Sequence, residues 1–185
     1  ITLDLHAGQI QGFFSIPGDV LSAFHILSDY LKGVKSNMYS PVVVTADLGF
    51  AKKARNYAAL LNLPMAFIEK RRLGNDSRAE ALTVIGDVTD RDVIIVDDEV
   101  DTGGSMVQAV SLVKEYGARD VYMTFVHPVF SATAAQRLSA LPVKEFITTD
   151  TIPVPQEKRA LFGDRLRILS ISSLIGEVVL RANEG

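Results

Sequence analysis

The sequence contains no cysteine among its 185 residues. Disulfide bonds, thiolate catalysis and zinc–thiolate sites are therefore excluded, and a reducing cytoplasm is the expected location. Excess positive charge is also missing, because the formal net charge is −3. Without a broad basic surface we predict no nucleic-acid partner, and an anion would have to bind at a local cluster of donors.

Long apolar runs are absent as well. No stretch reaches the roughly 20 residues that a membrane-spanning helix needs, and no secretory signal is visible, so we predict no membrane partner. The sequence does not begin with Met but with the alternating stretch ITLDLHAGQI, which is typical of the middle of a strand. From this we expect that the chain is the later part of a longer protein, or that its first residues are missing.

A recurring pattern predicts the fold class: a short apolar run, a polar or Gly-containing turn, and then helical periodicity. Such alternation favours an α/β fold, with a parallel sheet covered by helices on both faces and ligands bound beyond the carboxyl ends of the strands. The polar segment 70–80 is a candidate mobile loop. Strands are predicted at 41–46, 65–69, 93–96, 121–126, 145–148 and 166–169, and helices after residue 49, after residue 105, near 132–138 and at 171–180.

The segment VIIVDDEVDTGGS, residues 93–105, is the most informative stretch. Its Thr-Gly-Gly-Ser turn links a strand to the N-terminus of a helix, where free backbone N–H groups and the helix dipole favour a phosphate. No Lys follows the glycines, so this is not a Walker loop, and the GxGxxG dinucleotide pattern is absent.

Four acids precede that turn, at positions 97, 98, 99 and 101. They would repel one another unless hydroxyl donors or a metal ion satisfied some of them. A sugar phosphate meets both demands, because its phosphate binds amides while its hydroxyls donate to carboxylates. The alternative is a plain helix N-cap with solvated acids, which is the favoured interpretation for one Asp but not for the whole cluster.

These residues resemble a known family. Residues 93–105 resemble the phosphoribosyl pyrophosphate loop of the type I phosphoribosyltransferase fold, and segments 4–14, 68–72, 126–131 and 149–153 resemble ribose-phosphate pyrophosphokinases in the same order. The resemblance implies a three-layer type I phosphoribosyltransferase-like fold, the second of two homologous domains. It also implies an enzyme of nucleotide biosynthesis that transfers the pyrophosphoryl group of ATP to the 1-hydroxyl of ribose 5-phosphate and releases AMP.

The resemblance also implies roles for individual residues. Asp97 and Asp101 would bind the ribose hydroxyls, Lys70 and Arg72 would be catalytic cations on the mobile loop, and Arg72 would also contact ribose 5-phosphate. The remaining ribose 5-phosphate residues would be Asp98, Thr102, Gly103, Gly104 and Ser105.

A magnesium ion (Mg²⁺) is the cofactor that the resemblance implies, with His6 and Asp47 as its ligands. A lone His beside an apolar strand is more often structural, but Asp4 and His6 alternate with leucines and so are expected on one face of a strand. The turn at Asp47 departs from the family pattern, since Ala46 replaces Pro and Phe50 replaces Gly. We expect the Phe50 ring to alter the backbone there.

The resemblance further implies the organisation of the protein. Residues 1–24 would end a first domain, 25–165 would form a second, and 166–185 would be a closing strand and helix that pack toward the first. The expected partners are ATP and ribose 5-phosphate, with phosphate and ADP as effectors and a homo-oligomer of the hexamer-of-dimers type. Because the adenine-binding half is missing, we expect the chain to be inactive alone.

Two other functions stay open at this point. A type I phosphoribosyltransferase would consume phosphoribosyl pyrophosphate with a base as acceptor, although the Lys70-Arg71-Arg72 run and the 4–14 segment argue against it. A non-catalytic regulatory homologue would keep the fold but lose loop acids or basic residues, which are retained here.

Overall fold

The computed structural model describes residues 1–72 and 80–184, except for the side chains of residues 71, 72, 80 and 81. Its strands are β1 Thr2–Leu3, β2 Val20–Leu21, β3 Val42–Thr45, β4 Met65–Arg72, β5 Glu80–Ile85, β6 Val93–Glu99, β7 Val121–His127, β8 Glu145–Thr149 and β9 Leu166–Leu169. Its helices are α1 Phe24–Val34, α2 Ala51–Leu61, α3 Gly104–Glu115, α4 Ala134–Ser139, α5 Gln156–Phe162 and α6 Ser172–Glu184.

Seven of the strands form one sheet in the order β5-β4-β3-β6-β7-β8-β9. Every neighbouring pair is parallel except β4 and β5, which are antiparallel. The strand β6 lies in the middle, where its Val-Ile-Ile-Val run is buried on both faces, as unbroken β-branched runs usually are. The predicted α/β fold with a mainly parallel sheet is confirmed.

Alternate residues of the strands face opposite helical layers, as the period of two requires. Val43 and Ile94 pack with α1 and α2 on one face of the sheet. Val44 and Ile95 pack with α3, α4 and Phe162 of α5 on the other face. This three-layer packing fixes β6 between its neighbours and so determines where the residues after Val96 emerge.

The segment predicted as a mobile loop begins as a strand. β4 continues through residues 70–72, which pair with β5 in an antiparallel hairpin. The prediction that a loop begins at Lys70 was therefore wrong. The polar composition misled the prediction because an edge hairpin satisfies its backbone by pairing and needs no apolar face. Residues 73–79 of the predicted loop lie outside the described residues.

The N-terminal segment is not one continuous strand either. After β1, which pairs with β2, Asp4 adopts a left-handed backbone with φ of 41°. Its buried carboxylate accepts hydrogen bonds from Ser22 Oγ and from the N–H of Ala23, both at 2.7 Å. Asp4 and His6 therefore do not share a strand face, because the strand ends at Leu3 and the backbone turns at Asp4.

The last strand, β9, pairs with β8 and completes the large sheet. The helix α6 follows it and leaves Ile175, Val179 and Leu180 at least a third exposed. No helix in the described residues is long and apolar enough to cross a membrane. The domain boundaries after residues 24 and 165 stay predictions.

Gly86 gives a direct test of the sheet edge. Its φ is 111°, and a Cβ there would lie 2.6 Å from Ala66 Cβ and 2.9 Å from Ala66 Cα. We expect Gly86→Ala to lower the free energy of unfolding by about 2–4 kcal/mol, through strain and the forced displacement of β4. In Gly33→Ala, the control on α1, the new Cβ meets nothing within 4 Å, and stability should rise by up to about 1 kcal/mol. Urea denaturation measures both, and a Gly86→Ala protein as stable as the wild type would contradict this packing.

Candidate active site at the end of the central strand

The residues after Val96 line a cavity of about 320 Å³ at the carboxyl edge of the sheet. Asp97 and Glu99 still pair with β7, so the strand holds the first acids rigidly at the cavity wall. The cavity brings together nearly all of the site residues predicted from the sequence: His6, Asp47, Lys70, Asp97, Asp98, Asp101, Thr102, Gly103, Gly104 and Ser105. The side chain of Arg72 lies outside the described residues, so its role stays a prediction.

Residues 102–105, which we call the phosphate loop, have the geometry of an anion site. Gly103 adopts a left-handed conformation, with φ of 73°, and immediately precedes α3. Since Gly103 has no side chain that could cap α3, the N–H groups in the first turn of α3 stay available to a ligand. The backbone angle favours glycine, and a Cβ there would also lie only 3.2 Å from the side chain of Leu138, which would have to shift.

The neighbouring segment between β7 and α4 holds the start of this loop in place. The N–H of Phe130 donates to the carbonyl of Val100 at 2.9 Å, and the N–H of Ser131 donates to that of Asp101 at 3.1 Å. The N–H of Val100 in turn donates to the carbonyl of His127 at 3.0 Å. The loop is thus fixed by backbone hydrogen bonds before any ligand arrives.

Asp97 is held in an electrostatically unfavourable position. Burial, together with the charges of Asp98 and Asp47, raises the pKa of Asp97 to about 7, although the N–H of Asp98 donates to its Oδ1 at 2.9 Å and opposes the shift. A carboxyl group that titrates near neutrality can accept or donate a hydrogen bond. Hydroxyl groups of a ligand would satisfy it in either state.

Asp98 is buried and has two nitrogen-bearing partners from distant parts of the chain. Its Oδ1 lies 3.2 Å from Nδ1 of His6, and its Oδ2 lies 3.3 Å from Nζ of Lys53 on α2. The hydrogen bond and charge of Asp98 raise the pKa of His6. Lys53 was not predicted as a site residue, and neither the sequence spacing nor a motif indicated that it would reach Asp98.

The turn at Asp47 is closed by the side chain of Asp47 itself. Asp47 Oδ1 accepts from the N–H of Gly49 at 2.9 Å, and the acid itself is exposed toward the cavity. Phe50 has ordinary helical backbone angles, and its ring is buried beside Lys53, whose Nζ lies 5.3 Å from the ring centroid. Position 50 in this chain therefore has a backbone conformation that any residue can adopt. That the ring alters the turn relative to the family pattern stays a prediction.

A second cavity of about 460 Å³ adjoins the first and shares His6 and Asp98 with it. Aromatic rings from Phe24, Phe50 and Tyr57 line much of its wall. His127 lies next to this region, since its ring nitrogens contact Thr151 Oγ1 at 3.0 Å and the carbonyl of Asp4, a lining residue, at 3.2 Å. The remaining lining residues of this cavity include Leu5, Gln11, Ser22, His25, Lys53 and Asn56.

The donor groups at the cavity fit a hydrated metal ion better than an enclosed one. Within residues 1–72 and 80–184, no group of three or more acidic or histidine side chains converges as a metal cage. His6 does have the arrangement typical of a ligand histidine, because one ring nitrogen contacts the carboxylate of Asp98 and the other is left for a ligand. Mg²⁺ usually keeps several waters and shares its coordination with substrate phosphates, so these residues fit that ion.

Comparison with known proteins agrees with this architecture. Residues 74–185 match the family described as the phosphoribosyl synthetase-associated domain. The whole chain is 42% identical to a ribose-phosphate pyrophosphokinase of Caldanaerobacter subterraneus subsp. tengcongensis and covers 57% of that protein. Another, from Haemophilus ducreyi, is 44% identical over 98% of the chain, which covers 56% of it.

A solved structure gives the same result. The crystal structure of phosphoribosylpyrophosphate synthetase from Mycobacterium smegmatis superimposes with a TM-score of 0.88 and 37% identity, over 98% of this chain and 57% of that chain. The chain therefore spans somewhat more than half the length of these relatives. Because the match at 74–185 takes in more than half of its residues, the chain belongs to the phosphoribosyl synthetase-associated domain family.

Proposed function

We propose that the protein containing this chain is a ribose-phosphate diphosphokinase, which transfers pyrophosphate from ATP to the 1-hydroxyl of ribose 5-phosphate. The observation that carries the proposal is the convergence of an amide-lined phosphate loop, several carboxylates and Lys70 on one cavity. Hydrogen-bond donors for a phosphate and carboxylate acceptors for hydroxyl groups line the same cavity, which suits a phosphorylated sugar. The names of the relatives support the same activity.

In this mechanism the phosphate loop holds the 5-phosphate, while Asp97 and Asp101 accept hydrogen bonds from the ribose hydroxyls. Two such anchors fix the sugar at both ends and leave its 1-hydroxyl oriented for attack. Because the reacting groups are already held in place, the entropic part of the activation barrier is smaller. Lys70 lines the same cavity and would neutralise negative charge that develops on the transferred group. Arg72 would act with it.

Mg²⁺ would be held by His6 and Asp47 together with the phosphates of ATP. When bound, the ion would neutralise phosphate charge and help to align the reacting groups. Asp98 has a different part in this proposal from the one the resemblance implied. Its oxygens face His6 and Lys53, so it would orient the His6 ring rather than bind ribose directly.

The proposal extends to the rest of the protein. A preceding homologous domain would supply the adenine site, and a homo-oligomer would complete the assembly, with phosphate and ADP as effectors. Exposed apolar side chains are available for such packing, with Phe13 87% and Ile16 73% exposed near the N-terminus and Val179 59% exposed on α6.

Formation of AMP separates this activity from the alternatives. The full-length protein, given ATP, ribose 5-phosphate and Mg²⁺, should release AMP and form phosphoribosyl pyrophosphate in equal amounts. A phosphoribosyltransferase would instead consume phosphoribosyl pyrophosphate when a base is supplied. A regulatory homologue would do neither, and would change the activity of a separate active partner.

Lys70→Ala should separate transition-state stabilisation from sugar binding. We expect turnover to fall about 10²–10³-fold, because a preorganised charge near the transferred group is lost, while affinity for ribose 5-phosphate changes little. The matched control is Lys32→Ala, since Lys32 lies on α1 and pairs with the exposed Asp29. Steady-state kinetics and calorimetric titration give the two quantities, and unchanged turnover would favour a regulatory role.

Asp97→Asn should stabilise the unliganded protein, although it removes a carboxylate proposed to bind the ribose hydroxyls. A carboxyl group with pKa of about 7 in the folded state and about 3.9 in the unfolded state makes folding less favourable as pH rises between these values. At pH 8 we expect the substitution to raise the free energy of unfolding by about 1–3 kcal/mol, and below pH 4 by little. The control Asp164→Asn changes an exposed acid. Denaturation at several pH values tests this, and an equal effect of Asp97→Asn at pH 4 and pH 8 would contradict it.

A further inference from the structure

The geometry points to Arg137, on α4 and outside the cavity wall, as a positioning residue that prepares the phosphate loop for its anion. This inference rests on the proposed function, in which the loop binds the 5-phosphate of the sugar. Arg137 was not predicted as a site residue, because it lies far along the chain from the loop, which ends at Ser105.

Arg137 contacts the loop from α4 and is not among the residues that line the cavity. Its Nη1 donates to the carbonyl oxygen of Thr102 at 3.4 Å, and its Nη2 lies 3.9 Å from the position that a Cβ would take at Gly104. The carbonyl of Thr102 and the N–H of Gly103 belong to the same peptide group. A cation on that carbonyl polarises the peptide, so the N–H of Gly103 becomes a stronger donor.

The helix that carries Arg137 also sets the shape of the loop. The next residue, Leu138, is fully buried and fills the space that a side chain at position 103 would need. The N–H of Arg137 itself donates to the carbonyl of Thr133 at 3.0 Å, which fixes its backbone in the first turn of α4. Arg137 therefore reaches the Thr102–Gly103 peptide from a rigid base.

Charge gives a second, independent reason. The cavity wall carries five acids, at positions 47, 97, 98, 99 and 101, yet the proposed ligand is a phosphate with up to two negative charges. Lys53 pairs with Asp98, and Lys70, which also lines the cavity, is assigned to the transferred group in the proposed function. Among the described residues Arg137 forms no ion pair with a carboxylate, so its charge stays available to the phosphate loop.

The form of the contact predicts which substitutions preserve it. Only one guanidinium nitrogen engages the carbonyl of Thr102, so the planar fork of arginine is not used. A lysine ammonium could donate to the same oxygen and keep the charge. A glutamine could donate but would remove the charge.

The test is calorimetric titration of ribose 5-phosphate into the full-length protein and its Arg137→Gln and Arg137→Lys variants. We expect Arg137→Gln to weaken binding about tenfold at low ionic strength, and by less at high ionic strength, where the charge is screened. Arg137→Lys should stay within about threefold of wild type. Arg181→Gln, on α6 where Arg181 pairs with Glu177, is the control and should bind as wild type does.

Each result has a distinct meaning. If the wild type itself does not bind ribose 5-phosphate, the proposed function fails and this inference fails with it. If the wild type binds and Arg137→Gln binds within twofold of it, only the inference is overturned. It is also overturned if the affinity lost in Arg137→Gln is not restored in Arg137→Lys although both variants melt at the wild-type temperature. A lower melting temperature of Arg137→Gln together with a loss of affinity that does not depend on salt would show a purely structural role and overturn it as well.

Discussion

The abrupt change from apolar to acidic residues at the end of β6 is the constraint on which the site depends. Through Val96 the strand is buried on both faces, and the next two residues are aspartates that the same sheet holds in place. Neither acid can move far into water, because the strand and its neighbours are fixed by the core. The unliganded fold therefore keeps charge where it is unfavourable, and a ligand with hydroxyl donors or a cation relieves it.

The two adjacent carboxylates, Asp97 and Asp98, have different surroundings. Asp98 is compensated within the protein, by Lys53 from α2 and by His6 from the N-terminal segment. Among the described residues Asp97 has no such cationic partner, and burial raises its pKa to about 7. One carboxylate thus serves to join three parts of the chain at the cavity, while the other is left to a ligand. This division shows how adjacent identical residues can have different environments.

The sequence alone predicted the layers of the fold well, because strands such as 42–45 and 93–96 are β-branched runs that only a buried position explains. It also predicted the turn that leads into α3, since the glycines and acids there are local features. It did not predict α1. It also did not predict the hairpin of β4 and β5, because the polar residues of that hairpin resemble a loop. Nor could it predict the contacts of Asp98 with Lys53 and His6, which are 45 and 92 positions away and depend on how the layers pack.

The central claim is that one cavity binds both the phosphate and the pentose of a sugar phosphate. Amide hydrogen exchange in the full-length protein, with and without ribose 5-phosphate, tests it most directly. The account predicts slower exchange at the amides of residues 103–105 with the sugar phosphate, a smaller effect with inorganic phosphate, and none with ribose at the same concentration. Unchanged exchange at these amides, or protection confined to other parts of the protein, would contradict it.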